Sequence, residues 1–192
     1  MRMTKEDTLL NRMTIGEVYR RSDLMKYSSA ADRYLEKLVS EKKVLRVSAG
    51  LYTRPKLSAF GAVPPTDKEL VSSFLKDDRF LLNSFNNYNQ LGLGLTQLYN
   101  NKVVYNYKRH GEFKLNGKKF FLKRMSKFPS KLTKEYLLVD LLNNLKYVAE
   151  DQNQVVENFL KNKSNFDPKK VMRMAREYAR PHTLKLLEKA YA

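Results

Sequence analysis

One segment of this chain, residues 20–56, constrains its fold more than any other. It reads RRSDLMKYSSAADRYLEKLVSEKKVLRVSAGLYTRPK. A short helix-forming run, a serine-rich break, a longer helix-forming run and two alternating stretches follow one another without a long loop. The alternating stretches, 45–48 and 51–53, flank Ala49-Gly50, a turn in which glycine adopts a positive φ at low cost. Helix, turn, helix and hairpin in this order predict a winged helix-turn-helix, a fold that reads DNA.

Serine residues mark the predicted helix boundaries within this segment. Ser22 is expected to cap a helix over residues 22–27. Ser28 and Ser29 should end that helix and cap a longer one over residues 29–43. In the longer helix the apolar residues recur at helical spacing. They predict one buried stripe, formed by Ala31, Leu35, Leu38 and Val39.

The other face of the longer helix has the composition of a DNA-reading surface. A recognition helix presents small, polar or basic residues of its N-terminal half to the major groove. The candidate DNA-contacting residues are Ser28, Ser29, Ala30, Arg33, Tyr34 and Lys37 on the helix and its turn, Arg46 on one strand of the hairpin, and Arg54 and Lys56 at the exit of the other strand. Arg33 is the candidate for a bidentate contact to guanine, and Lys37 for a phosphate contact. The cations of the hairpin would follow the DNA backbone or the minor groove.

The rest of the chain predicts an α+β fold. A capping-box pattern at Thr4 and Asp7 starts a helix over residues 4–13, and a short strand is expected at 17–20. Pro64-Pro65 is the candidate boundary between a DNA-binding domain over 1–65 and a second domain over 66–192.

The second predicted domain begins as a small α/β region and ends in helices. Thr66 and Glu69 form another capping-box pattern. The α/β region then has strands at 79–83 and 102–109, a short helix or loop at 86–95, and an antiparallel hairpin of 112–115 and 119–125 around Asn116-Gly117. Helices are expected at 132–148, at 154–160, from Asp167-Pro168 to Pro181 and at 183–191.

The net charge of the chain indicates a polyanionic partner. Lysine and arginine number 37 against 20 acidic residues, which gives +17. The excess is +6 in residues 1–65, +7 in 66–128 and +4 in 129–192, so it is spread over the whole chain. Such an excess of positive charge opposes folding by self-repulsion. It favours contact with the phosphates of a nucleic acid whatever the base sequence.

One predicted helix of the C-terminal region carries a basic stripe. Lys169, Arg173, Arg176 and Arg180 recur at helical spacing opposite Val171, Ala175 and Tyr178. Two interpretations stay open. The stripe is either a solvated outer face or a second contact for nucleic acid or for an acidic protein.

The sequence gives little support to catalysis. The chain has no cysteine, and its two histidines, His110 and His182, are far apart, so we expect no metal site. No phosphate-binding loop, nucleophile elbow or paired-carboxylate motif occurs, and we expect neither a cofactor nor an enzyme. No apolar run is long enough to span a membrane and no secretion signal is visible, which favours a cytoplasmic location.

The residues also resemble a known family. The stretch from Val18 to Pro55, with LVSEKKVLRV followed by AGLYTRP, is similar to the N-terminal winged helix of AbiEi-like antitoxins of bacterial type IV toxin–antitoxin systems. Its most specific part is R-x-x-x-G-L-Y, from Arg46 to Tyr52. The hairpin LNGKKFFLKR at 115–124 resembles the middle region of that family, whereas the helical tail is only loosely similar.

The resemblance implies a DNA-binding autorepressor that recognises the operator of its own operon. It also implies pairing with a nucleotidyltransferase-like toxin, which such antitoxins oppose without forming a stable complex. A different class of function stays open beside it: a protein-interaction adaptor or an RNA-binding protein that uses the winged helix as a scaffold. The sequence indicates neither the operator nor the oligomeric state.

Overall fold

The computed structural model describes residues 4–192. The architecture is mixed α+β, as the sequence predicts, and the chain divides into two compact units. The first contains the chain up to Asp78 together with Phe113–Lys118. The second contains Arg79–Glu112 and Lys119–Ala192.

The first unit begins with three helices and a small sheet. Its elements are α1 (Lys5–Asn11), β1 (Val18–Arg20), α2 (Arg21–Leu24), α3 (Ala31–Ser40), β2 (Leu45–Ser48) and β3 (Leu51–Thr53). The three strands pair antiparallel in the order β1-β3-β2, with Tyr52 opposite both Tyr19 and Arg46. The predicted hairpin around Gly50 is confirmed, and Gly50 has a φ of 70°.

Local sequence explains some of these helix boundaries and not others. The Thr4/Asp7 capping box starts α1 as predicted. The prediction that Ser22 caps α2 is wrong, because that helix begins at Arg21 and its N-cap, Arg20, makes no side-chain hydrogen bond to it. The helix α3 is shorter than predicted. It ends at Ser40 because the chain turns at Lys42, which has a φ of 57°, and the Leu38 carbonyl oxygen accepts from the Lys43 and Val44 amides.

A second hairpin and a helix follow in the first unit. A second hairpin, β4 (Lys56–Ser58) and β5 (Gly61–Val63), was not expected from the sequence. The helix α4 (Asp67–Leu75) starts at the predicted capping box of Thr66 and Glu69.

Hydrogen bonds hold α4 to the small sheet. The Ser73 hydroxyl donates to the Val18 carbonyl oxygen at 2.8 Å, and the Arg20 guanidinium donates to the carbonyl oxygens of Ser73 and Phe74. The helix therefore belongs to the first unit. The division of the chain falls after Asp78 and not at the proline pair.

The second unit contains the longer sheet and the C-terminal helices. The strands of this sheet are β6 (Phe80–Ser84), β7 (Lys102–Asn106), β8 (Gly111–Leu115) and β9 (Lys118–Arg124), in the order β6-β7-β9-β8. The end of β8, the β8–β9 turn and the first residue of β9 are grouped with the first unit. The strand β7 is antiparallel to β6 and parallel to β9. Asn116 and Gly117 form the predicted turn between β8 and β9, with φ values of 46° and 76°.

Four α-helices follow: α5 (Lys134–Asn143), α6 (Gln152–Asn162), α7 (Pro168–Tyr178) and α8 (Pro181–Tyr191). The helix α5 is central, since every residue from 136 to 142 is buried. Asp167 caps α7 through the amides of Lys169 and Lys170, as the Asp-Pro pattern predicts. Within residues 4–192, no helix has the length and apolar character required to cross a membrane.

Candidate nucleic-acid interface

The helix α3 has one buried and one exposed face. Ala31, Leu35 and Leu38 are buried as predicted and pack against Leu9 and Met13 from the α1 region, while Val39 is half-buried at the edge of this cluster. Burying such side chains stabilises the fold by about 1.5–3 kcal/mol for each large residue. This packing fixes which side of α3 faces away from the core.

Three of the predicted contact residues lie at the N-terminal end of the exposed side. Arg33 and Ser29 are exposed and Ser28 is half-buried. The Arg33 guanidinium lies over the ring of Tyr34, 5.5 Å from its centroid. Ala30, the half-buried N-cap, makes no side-chain hydrogen bond to the helix. The structure therefore brings a guanidinium and a serine hydroxyl to the exposed start of α3.

Tyr34, predicted to contact DNA, is a buried residue. Only 5% of it is exposed, and it belongs to the core cluster with Leu35 and Leu38. Position 34 lies three residues after Ala31, on the side of the helix that faces the core. The small exposed part of Tyr34 lines a surface groove together with Ser28 and Ser29.

Lys37 is exposed but has a partner within the protein. Its ammonium lies 3.1 Å from Glu6 Oε1 of α1. A backbone hydrogen bond and the contact with Lys37 lower the pKa of the Glu6 carboxyl. A phosphate contact by Lys37 would therefore compete with this ion pair.

The three predicted contact residues on and after the β2–β3 hairpin have different environments. Arg46 is exposed on β2. Arg54 is half-buried, and its Nη1 donates to the carbonyl oxygens of Leu10 and Met13, so a DNA contact by Arg54 would compete with these hydrogen bonds. Lys56, which follows the hairpin as predicted, is exposed and begins β4.

A basic groove lies at the start of α3 and was not foreseen. It has a volume of about 370 Å³ and includes Lys5, Thr8 and Arg12 from the α1 region beside Ser28 and Ser29. The Arg12 guanidinium lies 5.7 Å from the ring centroid of Tyr27, which is 54% exposed and also lines the groove. The sequence carried a signal for this groove, because Lys5, Thr8 and Arg12 follow helical spacing.

An ion pair joins α2 to α3 beside this surface. Arg21 Nε donates to Asp32 Oδ1 at 2.6 Å, and Nη2 contacts Oδ2 of the same carboxylate. This bidentate pair constrains the two helices through two parallel hydrogen bonds. The hydrogen bond from Arg21 lowers the pKa of the Asp32 carboxyl, and Asp32 in turn raises the pKa of Arg21.

The basic stripe of α7 is shorter than the sequence predicts. Lys169, Arg173 and Arg176 are exposed, and Val171 and Ala175 are buried behind them. Arg180 lies beyond the end of α7, where it is the N-cap of α8 and its amide donates to Asn143 Oδ1 at 2.8 Å. The stripe therefore has three cations on one helix.

Comparison with family models, curated proteins and solved structures gives no match for this chain.

Proposed function

We propose that the first unit is a winged helix-turn-helix that binds double-stranded DNA, and that the protein is a transcriptional repressor acting on its own operon. One observation carries the proposal. The apolar side of α3 is held in the core, while Arg33 and Ser29 stand exposed at its N-terminal end beside the basic groove. Recognition helices use this end to meet the major groove.

The roles of the surface residues follow from their positions. Arg33 reads a base edge, because its two-pronged guanidinium matches the acceptors of guanine. Lys5, Arg12 and the serine hydroxyls bind phosphate, and Arg46 on β2 contacts the DNA backbone. The net charge of +17 supplies the part of the affinity that does not depend on sequence.

The resemblance of residues 18–55 and 115–124 to AbiEi-like antitoxins extends the proposal. The protein then acts in the cytoplasm as the antitoxin of a type IV system, opposing a nucleotidyltransferase-like toxin without a stable complex. The test is co-expression with the neighbouring gene: rescue of growth without co-purification supports this role. If the product of the neighbouring gene is not toxic, the antitoxin role is contradicted, whereas the proposed DNA binding is unaffected.

Affinity measured over a salt series tests DNA binding. Fluorescence anisotropy should compare the upstream region of the gene, an unrelated duplex and a single-stranded RNA of equal length. We expect tighter binding to the upstream duplex, with log K falling by roughly 0.9 per bound phosphate for each unit of log salt. Equal affinity for all three nucleic acids would contradict a sequence-reading repressor. Preference for the RNA would favour the RNA-binding alternative.

A further inference from the structure

A pocket of about 260 Å³ lies on the sheet of the second unit. In the register of β7 and β9, Val103 is opposite Phe121 and Tyr105 is opposite Lys123, so these four side chains share one face. The helix α5 covers part of that face, where Tyr136 packs with Val103 and Tyr105. The pocket lies on the part of this face that α5 leaves uncovered.

Aromatic side chains dominate the walls of the pocket. Phe85 and Tyr99 meet edge to face with ring centroids 5.6 Å apart, and Tyr105, Phe121 and Tyr147 line the remaining sides. Flat apolar walls favour a flat ligand, because stacking removes both ring faces from water. The volume lies just below the range typical of drug-sized ligands, which indicates a small one.

One cation is held in the pocket by a chain of hydrogen bonds. Lys123 Nζ donates to Asn144 Oδ1 at 2.9 Å and lies 5.5 Å from the centroid of the Tyr105 ring. Asn144 Nδ2 donates in turn to Asp140 Oδ1 at 3.0 Å and to the Asp140 carbonyl oxygen at 2.7 Å. The amide is thereby fixed with its oxygen toward the lysine. An ammonium has three N–H donors, and the bond to Asn144 uses one.

The buried Asp140 side chain holds the inner end of this chain of hydrogen bonds. It is 3% exposed and accepts hydrogen bonds from the hydroxyls of Tyr88 and Tyr105 and from Asn83 as well as from Asn144. Burial lowers the pKa of Lys123, and the Asp140 carboxylate opposes that shift. The lysine is therefore positioned by a built network and is not a free surface cation.

We propose that this pocket binds a nucleobase that carries an exocyclic oxygen. The base stacks against the aromatic walls, and its oxygen accepts a hydrogen bond from Lys123, as the oxygen of guanine does from lysine in DNA readout. The Glu112 carboxylate, which also lines the pocket, accepts from a ring or amino N–H of the base. Adenine has no exocyclic oxygen and is disfavoured. The proposal does not depend on DNA binding by the first unit.

Titration calorimetry of the full chain with nucleosides tests the pocket. Nucleosides lack phosphate, so they avoid unspecific attraction to the basic surface. Guanosine, cytidine and uridine should bind, and adenosine should bind several-fold more weakly. Lys123→Met should weaken binding about tenfold because a charge-assisted hydrogen bond is removed, and Glu112→Gln, at an exposed position, should weaken it without unfolding the protein. Lys127→Met, a change of an exposed lysine, is the matched control and should leave binding unchanged.

Further arms of the experiment decide between sources of the base. If a guanine-containing single strand binds more tightly than guanosine and loses affinity with Lys123→Met, the natural ligand is an unpaired base of a nucleic acid. If only the nucleosides respond to Lys123→Met, the ligand is a free nucleoside or nucleotide. The proposal is overturned if no nucleoside binds, if adenosine binds as tightly as the others, or if Lys123→Met and Glu112→Gln both bind as the parent does.

Discussion

Arg54 Nη1 donates to the carbonyl oxygen of Leu10 at 3.2 Å. The same atom reaches the Met13 carbonyl oxygen at 3.4 Å, and the Gly16 amide donates to the Arg54 carbonyl oxygen at 2.7 Å. Arg54 thus adds a donor to the Leu10 carbonyl oxygen, which also accepts from the Met13 amide at 3.0 Å, and it reaches the Met13 carbonyl oxygen just beyond the end of α1. A residue that the sequence assigned to the DNA surface instead joins β3 to α1.

Arg54→Ala should therefore destabilise the first unit. Hydrogen bonds to a charged group contribute about 1.5–3 kcal/mol each when partly buried, so we expect the free energy of unfolding to fall by about 1–3 kcal/mol. Urea denaturation followed by circular dichroism measures it. Arg46→Ala is the matched control, because Arg46 is exposed on the neighbouring strand. The control should keep its stability and lose DNA affinity, and the reverse pattern in the two variants would contradict our assignment.

Arg33→Ala should separate DNA reading from folding. Removing a bidentate hydrogen bond to a base costs roughly 1–3 kcal/mol of binding free energy, whereas the exposed side chain contributes little to the core. Operator affinity and melting temperature should be measured on the same preparation. Leu35→Ala is the opposite case, since truncating a buried leucine costs roughly 2–5 kcal/mol of stability. An Arg33→Ala protein with parental affinity would remove Arg33 from the DNA-reading surface.

The ion pair between Arg21 and Asp32 predicts a pH effect. The hydrogen bond from Arg21 lowers the pKa of Asp32 below its ordinary value of 3.8. A folded pKa below the unfolded one means that the pair stabilises the protein above pH 3.8, and that this contribution is lost as the pH falls through the folded pKa. Carbon NMR of the carboxyl group measures the shift. Arg21→Gln should return the pKa toward 3.8, and Arg12→Gln should not change it. A parental Asp32 that titrates at its ordinary value would contradict the pair.

Local patterns were predicted well from the sequence. The capping boxes at Thr4 and Thr66 and the turn at Asn116-Gly117 lie where they were expected. Each depends on residues within four positions, so the sequence contains the whole interaction.

Features that depend on distant contacts were missed. Whether Tyr34 faces the core or the solvent is decided by α1 and α2, and the direction of Arg54 is decided by the end of α1. The parallel pairing of β7 with β9 joins residues 18 positions apart, and the hydrogen bond from Tyr88 to Asp140 joins residues 52 positions apart. No local periodicity reports such contacts, which is why the pocket beside Lys123 was not expected.

Asp140→Asn should destabilise the second unit even though it removes a buried charge. The carboxylate accepts hydrogen bonds from the Tyr88 hydroxyl at 2.8 Å, the Tyr105 hydroxyl at 2.7 Å, Asn83 Nδ2 at 2.9 Å and Asn144 Nδ2 at 3.0 Å. An amide would turn one acceptor into a donor and leave buried donors unpaired, at a cost of about 1–3 kcal/mol each.

Urea denaturation measures the effect of that substitution. Asp151→Asn is the matched control, because Asp151 is an exposed N-cap of α6 and asparagine caps a helix about as well as aspartate. Burial raises the pKa of Asp140 against the opposing hydrogen bonds from Tyr105 and Tyr88. If Asp140→Asn had the same free energy of unfolding as its control, the hydrogen bonds to the carboxylate would stabilise the protein no more than burial of its charge destabilises it.

Changing Arg173 and Arg176 to Gln together decides between the two interpretations of the α7 stripe. If the exposed cations of α7 bind phosphate, the slope of log K against log salt should fall by about 2, at roughly 0.9 for each phosphate that the variant no longer neutralises. Sequence preference should hardly change, because cations that bind phosphate position a protein without reading bases. If the stripe binds an acidic protein, DNA affinity should stay at the parental value while neutralisation of the toxin fails. If both properties are unchanged, the stripe is a solvated face. The fold then requires only the opposite side of α7, where Val171 and Ala175 are buried.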